Sequence, residues 1–300
     1  MTHSKDIIEL IGYASGIGAG NPGCSQGPAQ MQSSSLLQKL QNNLHWQTIL
    51  SPANELSGLA ALESIVAISK NLAKITASLV AQHQFFITLG GDHSSAIGTW
   101  SGVATALEPL SLGLLWIDAH LDSHTDKTTP SGNIHGMPLA ALLGHGHSSL
   151  TSILSSKPKL LPQNVCVLGV RSFEQEEQQL LEDLKVRIFY MDEIERRGVD
   201  AVFQEAHSII SDQTQFYGVS IDLDAVSPDE APGVGTPEAN GLNQAALLSG
   251  LHYLLTDQKL IGAEIVEFNP GRDINQKTER LVASLIERFI TGLQNYNGEA

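Results

Sequence analysis

Three short segments of this chain combine Asp and His where apolar runs stop. Gly90-Gly91-Asp92-His93 follows Phe85–Leu89, Asp118-Ala119-His120-Leu121-Asp122 follows Leu112–Ile117, and Asp222-Leu223-Asp224 follows Tyr217–Ile221. Ionisable groups beside buried runs are costly to bury unless paired or bound to metal, so three interruptions of one kind point to one shared site. A single Asp after a strand is ordinarily a helix cap or turn residue. Taken together, His93, Asp118, His120, Asp122, Asp222 and Asp224 form a ligand inventory. On an extended strand, residues two apart point the same way. Asp118, His120 and Asp122 therefore converge if their strand continues, as do Asp222 and Asp224. Four carboxylates held together repel one another unless cations offset them. A set of mostly oxygen ligands with two imidazoles suits a fairly hard, octahedral ion, and Mn²⁺ fits better than Zn²⁺, whose catalytic sites use more His or Cys. Two such ions roughly 3.5–4 Å apart generate a bridging hydroxide at neutral pH, the nucleophile of a hydrolase.

The elements that must position these residues alternate along the chain. Strand candidates are Ile7–Gly12, Phe85–Leu89, Leu112–Ile117, Val165–Val170, Val186–Tyr190, Phe216–Ile221 and Ala263–Glu267. Most are near-continuous hydrophobics, as expected of strands buried on both faces of a parallel sheet. Helix candidates are Leu56–Ala81, Glu174–Leu184, Asp192–Ser211, Asn243–Thr256 and Gln276–Leu293. This alternation predicts a three-layer α/β/α fold with a mostly parallel central sheet. The absence of repeats and linkers predicts a single catalytic domain over residues 1–300. Three Gly/Pro-rich loops, 15–28, 126–136 and 227–241, stand out. The second and third follow the Asp/His segments and are expected to wall the site, since ligands of open α/β sheets bind beyond the carboxyl ends of the strands. Gly16-Ile17-Gly18-Ala19-Gly20 lacks the spacing of a dinucleotide fingerprint.

A net charge of −15, from 32 acidic against 17 basic residues, argues against a nucleic-acid partner and against an anionic membrane surface. The apolar stretch 60–80 carries Glu63, Lys70, Asn71 and Lys74, which argues against a membrane span. The start of the chain shows no secretory pattern. Two cysteines, Cys24 and Cys166, are too few for a disulfide framework and fit free thiols in the cytoplasm.

Gly90-Gly91-Asp92-His93-Ser94, Asp118-Ala119-His120-Leu121-Asp122 and Ser220-Ile221-Asp222-Leu223-Asp224 resemble, in order and spacing, the three signature motifs of the ureohydrolases, the family of arginases, agmatinases and formimidoylglutamases. The likeness runs from the N-terminal loop to Glu267-Phe268-Asn269-Pro270. It implies two Mn²⁺ ions, one on His93, Asp118, Asp122 and Asp222, the other on His120, Asp118, Asp222 and Asp224. Asp122 would also orient the hydroxide that attacks a guanidinium or formimino carbon. His135, in Ser131-Gly132-Asn133-Ile134-His135-Gly136, resembles the family's proton-shuttle histidine, work for which imidazole is suited. Glu267 resembles its guanidinium-binding glutamate. A homotrimer or hexamer is also implied.

The loop from Thr128 to Pro138 looks more like arginases than agmatinases, which implies L-arginine as substrate, with ornithine and urea as products. Thr129 and Ser131 would then receive the α-carboxylate. Two positions depart from the arginase pattern. His124 stands where an asparagine is usual, and Glu174 where an aspartate usually meets the α-ammonium. Only Glu174 of the acidic run Glu174–Glu177 is expected at the site; the rest reads as a solvated helix start. His145 and His147 read as a surface turn, and His3, His45, His83, His207 and His252 lie outside the motifs. The alternatives are the same chemistry on formiminoglutamate, agmatine or guanidinobutyrate, a single-zinc deacylase, against which the carboxylate-rich set counts, and a non-catalytic relative.

Overall fold

The computed structural model describes residues 7–297. Eight strands form one sheet: β1 (Ile8–Tyr13), β2 (Leu44–Leu50), β3 (Phe86–Gly90), β4 (Leu112–Ile117), β5 (Val165–Val170), β6 (Arg187–Tyr190), β7 (Phe216–Asp222) and β8 (Leu260–Val266). Their order is β2-β1-β3-β8-β7-β4-β5-β6, and every pairing is parallel. Alternate strand residues feed two separate cores. Leu10, Ile87, Leu115, Ile117, Val219 and Ile221 face one layer with Phe203, Ile210, Leu285 and Phe289. Ile11, Tyr13, Leu114, Trp116 and Val167 face the other with Leu72, Trp100 and Val103. This is the three-layer α/β/α arrangement that the alternation of elements predicts.

Among the elements the structure adds to that reading, two frame the fold. β2 is an edge strand whose Leu-His-Trp-Gln-Thr-Ile-Leu sequence mixes polar with apolar residues and is only partly buried, so it lacks the continuous apolar run of the interior strands. The helix Ser95–Leu107 is buried on nearly all sides, so it carries no amphipathic stripe for periodicity to reveal. It lies tightly against the helix Leu62–Ala81. A Cβ on Gly102 would sit 2.1 Å from the Ala73 carbonyl oxygen and from Thr76 Oγ1. By length and mean hydropathy the stretch Gly58–Ala81 would suffice to cross a bilayer. Here its Ile65, Ile68, Leu72 and Leu79 are buried in the core shared with Trp100 and Val103 or with Ile97. The expected helix over 192–211 is two helices, Met191–Arg197 and Val199–Ser211, separated at Gly198 with φ 86°. Asn243–Thr256 likewise divides into Gln244–Gly250 and His252–Leu255.

Candidate active site

The three motifs meet at the carboxyl ends of β3, β7 and β4, with β8 between β3 and β7. Convergence does not come from strand alternation. β4 stops at Ile117, and Asp122 takes a left-handed φ of 47° that turns its carboxylate back toward the strand end. β7 ends at Asp222, which begins a tight turn whose Asp224 N–H donates to Asp222 Oδ1 at 2.9 Å. After β3, Gly91 allows the backbone of Ser15 to approach. A Cβ there would lie 1.9 Å from the Ser15 carbonyl oxygen. Asp92 ties that loop down, accepting from Ser15 Oγ at 3.1 Å and from the Gly18 N–H at 2.9 Å. The first glycine-rich loop is therefore a wall of this site, and its Gly18 carbonyl also accepts from the His135 N–H.

His93 Nδ1 faces three carboxylates: Asp122 Oδ2 at 3.0 Å, Asp118 Oδ2 at 3.1 Å and Asp222 Oδ2 at 3.2 Å. It is buried, and none of the three is aligned to hydrogen-bond with it. His120 Nδ1 lies 3.4 Å from the other oxygen of Asp118 and 3.2 Å from Asp224 Oδ2. Asp118 thus turns one oxygen to each histidine. Its Oδ2 also accepts from Trp116 Nε1 at 2.9 Å, and the Trp116 ring stacks on His93 with centroids 4.2 Å apart. Asp224 accepts from Thr236 Oγ1 at 3.0 Å. Arg171 holds the following loop in place by donating to the carbonyls of Asp224, Glu238 and Ala239 at 2.6, 2.9 and 2.8 Å.

Charge in this cluster is unbalanced. Burial resists ionisation of Asp118, but the close contacts with His120 and His93 prevail and hold its carboxyl far below the usual range. Burial and the Asp118 charge push Asp122 up to about 6. Burial, then Asp224 and Asp118, push Asp222 well up. Burial would lower both imidazoles, yet the surrounding carboxylates raise them well above an ordinary histidine. Two imidazoles cannot neutralise four buried carboxylates. The groups His93, Asp118 and Asp222, and Asp118, His120 and Asp224, each present ligand atoms within 4.8 Å of one another. An orphaned buried imidazole nitrogen aimed among carboxylate oxygens is the geometry a divalent cation fits.

Glu267 follows β8 with a left-handed φ of 66°. It is 1% exposed. Its Oε1 accepts from the His93 N–H at 3.0 Å and meets His135 Nδ1 at 3.1 Å, and its Oε2 accepts from Cys24 Sγ at 3.1 Å. Burial opposes ionisation of Glu267, but the His135 contact holds its carboxyl below the usual range. Burial likewise disfavours the His135 imidazolium, and Glu267 raises it to about 9. A cavity of about 150 Å³ opens beside the cluster, lined by His120, Asp122, His135, Asp222 and the candidate substrate contacts His124, Thr129, Ser131 and Glu174. His124 Nε2 touches Glu174 Oε2 at 3.1 Å.

The acidic run holds a correction. Glu177, read from sequence as solvated, is buried and lines this cavity. It sits three residues after the N-cap Glu174, accepts from the Glu174 and Ser123 N–H groups, and lies 3.6 Å from His124 Nε2. Burial and Glu174 push its carboxyl up to about 8. The Glu-x-x-Glu spacing of a capping box is the signal that could have found it. Cys24, expected only as a free thiol, is one here as is Cys166, but it also touches Glu267. His147 caps the short helix Ser148–Thr151, and His3 lies outside the described residues.

Comparison with known proteins supplies the family. The family model described as the arginase family matches residues 7–292. The chain belongs to the arginase family. Arginase of Bacillus caldovelox is 36% identical over 290 residues, covering 93% of this chain and 96% of that one. Its solved structure superposes with a TM-score of 0.88, covering 95% and 98% of the two chains at 34% identity. Arginase of Bacillus subtilis is 34% identical, covering 94% and 97%. The arginase of Entamoeba histolytica, solved in complex with L-ornithine, has a TM-score of 0.88 at 27% identity, covering 97% and 99%. This arginase-family chain is a hydrolase, and its buried His/Asp cluster fits a binuclear metal site.

Proposed function

We propose that the chain hydrolyses L-arginine to L-ornithine and urea with two Mn²⁺ ions. The observation that carries this reading is Asp118, which offers one oxygen to the His93 group and the other to the His120 group. His93, Asp118, Asp122 and Asp222 would hold one ion, and His120, Asp118, Asp222 and Asp224 the other. When bound, such a pair supplies a nucleophile derived from water at neutral pH. Asp122, next to both the cavity and the cluster, accepts a hydrogen bond that aims the attacking oxygen. Glu267 accepts from the guanidinium nitrogens, a charge-assisted contact made strong by burial. As the carbon–nitrogen bond to the ornithine side chain breaks, His135 delivers a proton to the departing amine, and Glu267 keeps its imidazolium available.

The amino-acid end lies across the cavity. Thr129, Ser131 and His124 receive the α-carboxylate, and Glu174 the α-ammonium. The L-ornithine complex of the Entamoeba relative supports an amino-acid ligand. The same reading makes residues 1–300 one catalytic domain, working in the cytoplasm as a homo-oligomer, and the two free thiols support that compartment.

The test loads purified protein with Mn²⁺ and measures urea from L-arginine, agmatine and guanidinobutyrate beside formamide from formiminoglutamate. Urea from arginine alone supports the assignment. Turnover of another substrate with arginine inert overturns the substrate and leaves the hydrolytic chemistry standing.

A further inference from the structure

One buried acid takes no part in the chemistry above. Glu264 lies in the middle of β8, and its side chain is wholly buried. A carboxylate there is costly unless its oxygens are hydrogen-bonded. Four neutral donors satisfy it: Ser95 Oγ at 2.7 Å and Thr99 Oγ1 at 2.8 Å on Oε1, and Trp100 Nε1 and Ser220 Oγ, both at 3.1 Å, on Oε2. Three of these donors sit on the helix Ser95–Leu107, which starts two residues after His93. The fourth, Ser220, pairs in register with Glu264 across β7 and β8. Ser220 Oγ also lies 2.9 Å from His93 Nε2.

Hydrogen-bond accounting gives this chain a direction. A carboxylate with four donors around it only accepts, and the indole N–H only donates. The single Ser220 proton is therefore directed to Glu264, which leaves Ser220 a lone pair facing His93. His93 must then donate from Nε2, and in the neutral ring, the form that binds a metal, Nδ1 carries no proton. That is the nitrogen directed among Asp118, Asp122 and Asp222. The opposite arrangement, with Ser220 donating to Nε2, would put the proton on Nδ1 and make that atom useless as a ligand. Partners of this kind commonly set both the orientation and the basicity of a ligating histidine.

We propose that Glu264, acting through Ser220, is a positioning residue that fixes the tautomer and ring orientation of His93 and so sets the affinity of the metal position His93 serves. This rests on His93 being a metal ligand, as proposed above.

The test titrates full-length metal-free protein with Mn²⁺, counting free ion by electron paramagnetic resonance, for parent, Ser220→Ala, Ser220→Thr, Glu264→Gln and His93→Ala. Thermal melts identify the folded variants. Ser220→Ala and Glu264→Gln are each expected to weaken one of the two ions by about 10–100-fold and leave the other unchanged. Ser220→Thr, which keeps the hydroxyl, restores the parent affinity. Nitrogen-15 spectra of the histidines of metal-free protein, recorded at a pH high enough for the His93 ring to be neutral, are expected to show His93 protonated on Nε2 in the parent and a mixed tautomer in Ser220→Ala, a change that a purely structural serine would not produce. Parent affinity for both ions in Ser220→Ala or in Glu264→Gln, with one ion lost in His93→Ala, overturns the relay and spares His93 as a ligand. Two ions still bound in His93→Ala overturn the ligand reading and the relay with it.

Discussion

Gly235 offers a sharp test of Glu267. A Cβ on residue 235 would sit 2.2 Å from Glu267 Oε2 and 3.2 Å from Cys24 Sγ. To accommodate the methyl of Gly235→Ala, the carboxylate must retreat by about 1 Å before reaching ordinary contact distances. An exposed side-chain end would do so at little cost. This one is buried and held by the His93 N–H, His135 and Cys24. Moving it sacrifices at least one hydrogen bond to a charged group, about 1.5–3 kcal/mol. It also misplaces the proposed guanidinium acceptor, and a displacement of about 1 Å near reacting atoms is worth about 100-fold in rate. Gly235→Ala is therefore expected to lower kcat/KM for urea release from arginine by about 100-fold while both Mn²⁺ ions stay bound, because Glu267 is not among the proposed ligands. Activity within a few-fold of the parent would refute the claim that the position of Glu267 matters. Loss of an ion alongside the activity would show that the effect travels through the metal centre instead.

Three other outcomes follow from the geometry. Asp118→Ala or Asp222→Ala should abolish turnover and lower bound manganese on elemental analysis; a fully active variant would remove these residues from the ligand set. His135→Ala should reduce kcat with two ions retained, and loss of metal would contradict a shuttle role. On the surface, Arg187 and then Arg197 hold the Glu193 carboxyl down to about 2. A lowered folded-state value stabilises above the unfolded value of about 4.3 and is lost as pH falls from there toward 2. Melting temperatures of Glu193→Gln should thus fall less than those of the parent over that window, and parallel curves would count against the pairing.

The chemistry of the site is legible in sequence because an Asp or His at the end of an apolar strand has few bland explanations, and three such ends in order have fewer. What supports those residues is not legible. Ser220 reads as a small residue in a strand, and Glu264 as a lone acid in an apolar run. Their meaning appears only when β7 and β8 are placed side by side and the helix Ser95–Leu107 is packed over them. That helix is itself hidden because it is buried all round. Glu177 escaped because one turn of acidic residues looks solvated until the helix start is seen to face the cavity. The turns at Asp122 and Asp222 show the converse. The Asp and His side chains do come together, but through left-handed backbone and a tight turn rather than through a continuing strand.

The position of β8 has a consequence for how the molecule is made. Although it is the last strand among the described residues, it lies at the centre of the sheet, joining β2-β1-β3 to β7-β4-β5-β6. Before it arrives, a nascent chain holds two half-sheets, each with an open interior edge at β3 or β7. Such edges are templates for wrong pairing, and pairings between distant segments form late. His93 belongs to the first half, and Asp118, Asp122 and Asp222 to the second. The cluster therefore straddles a seam that closes only once β8 has been made, and a chain cut short before Leu260 keeps two sticky edges, with His93 parted from the five other candidate ligands.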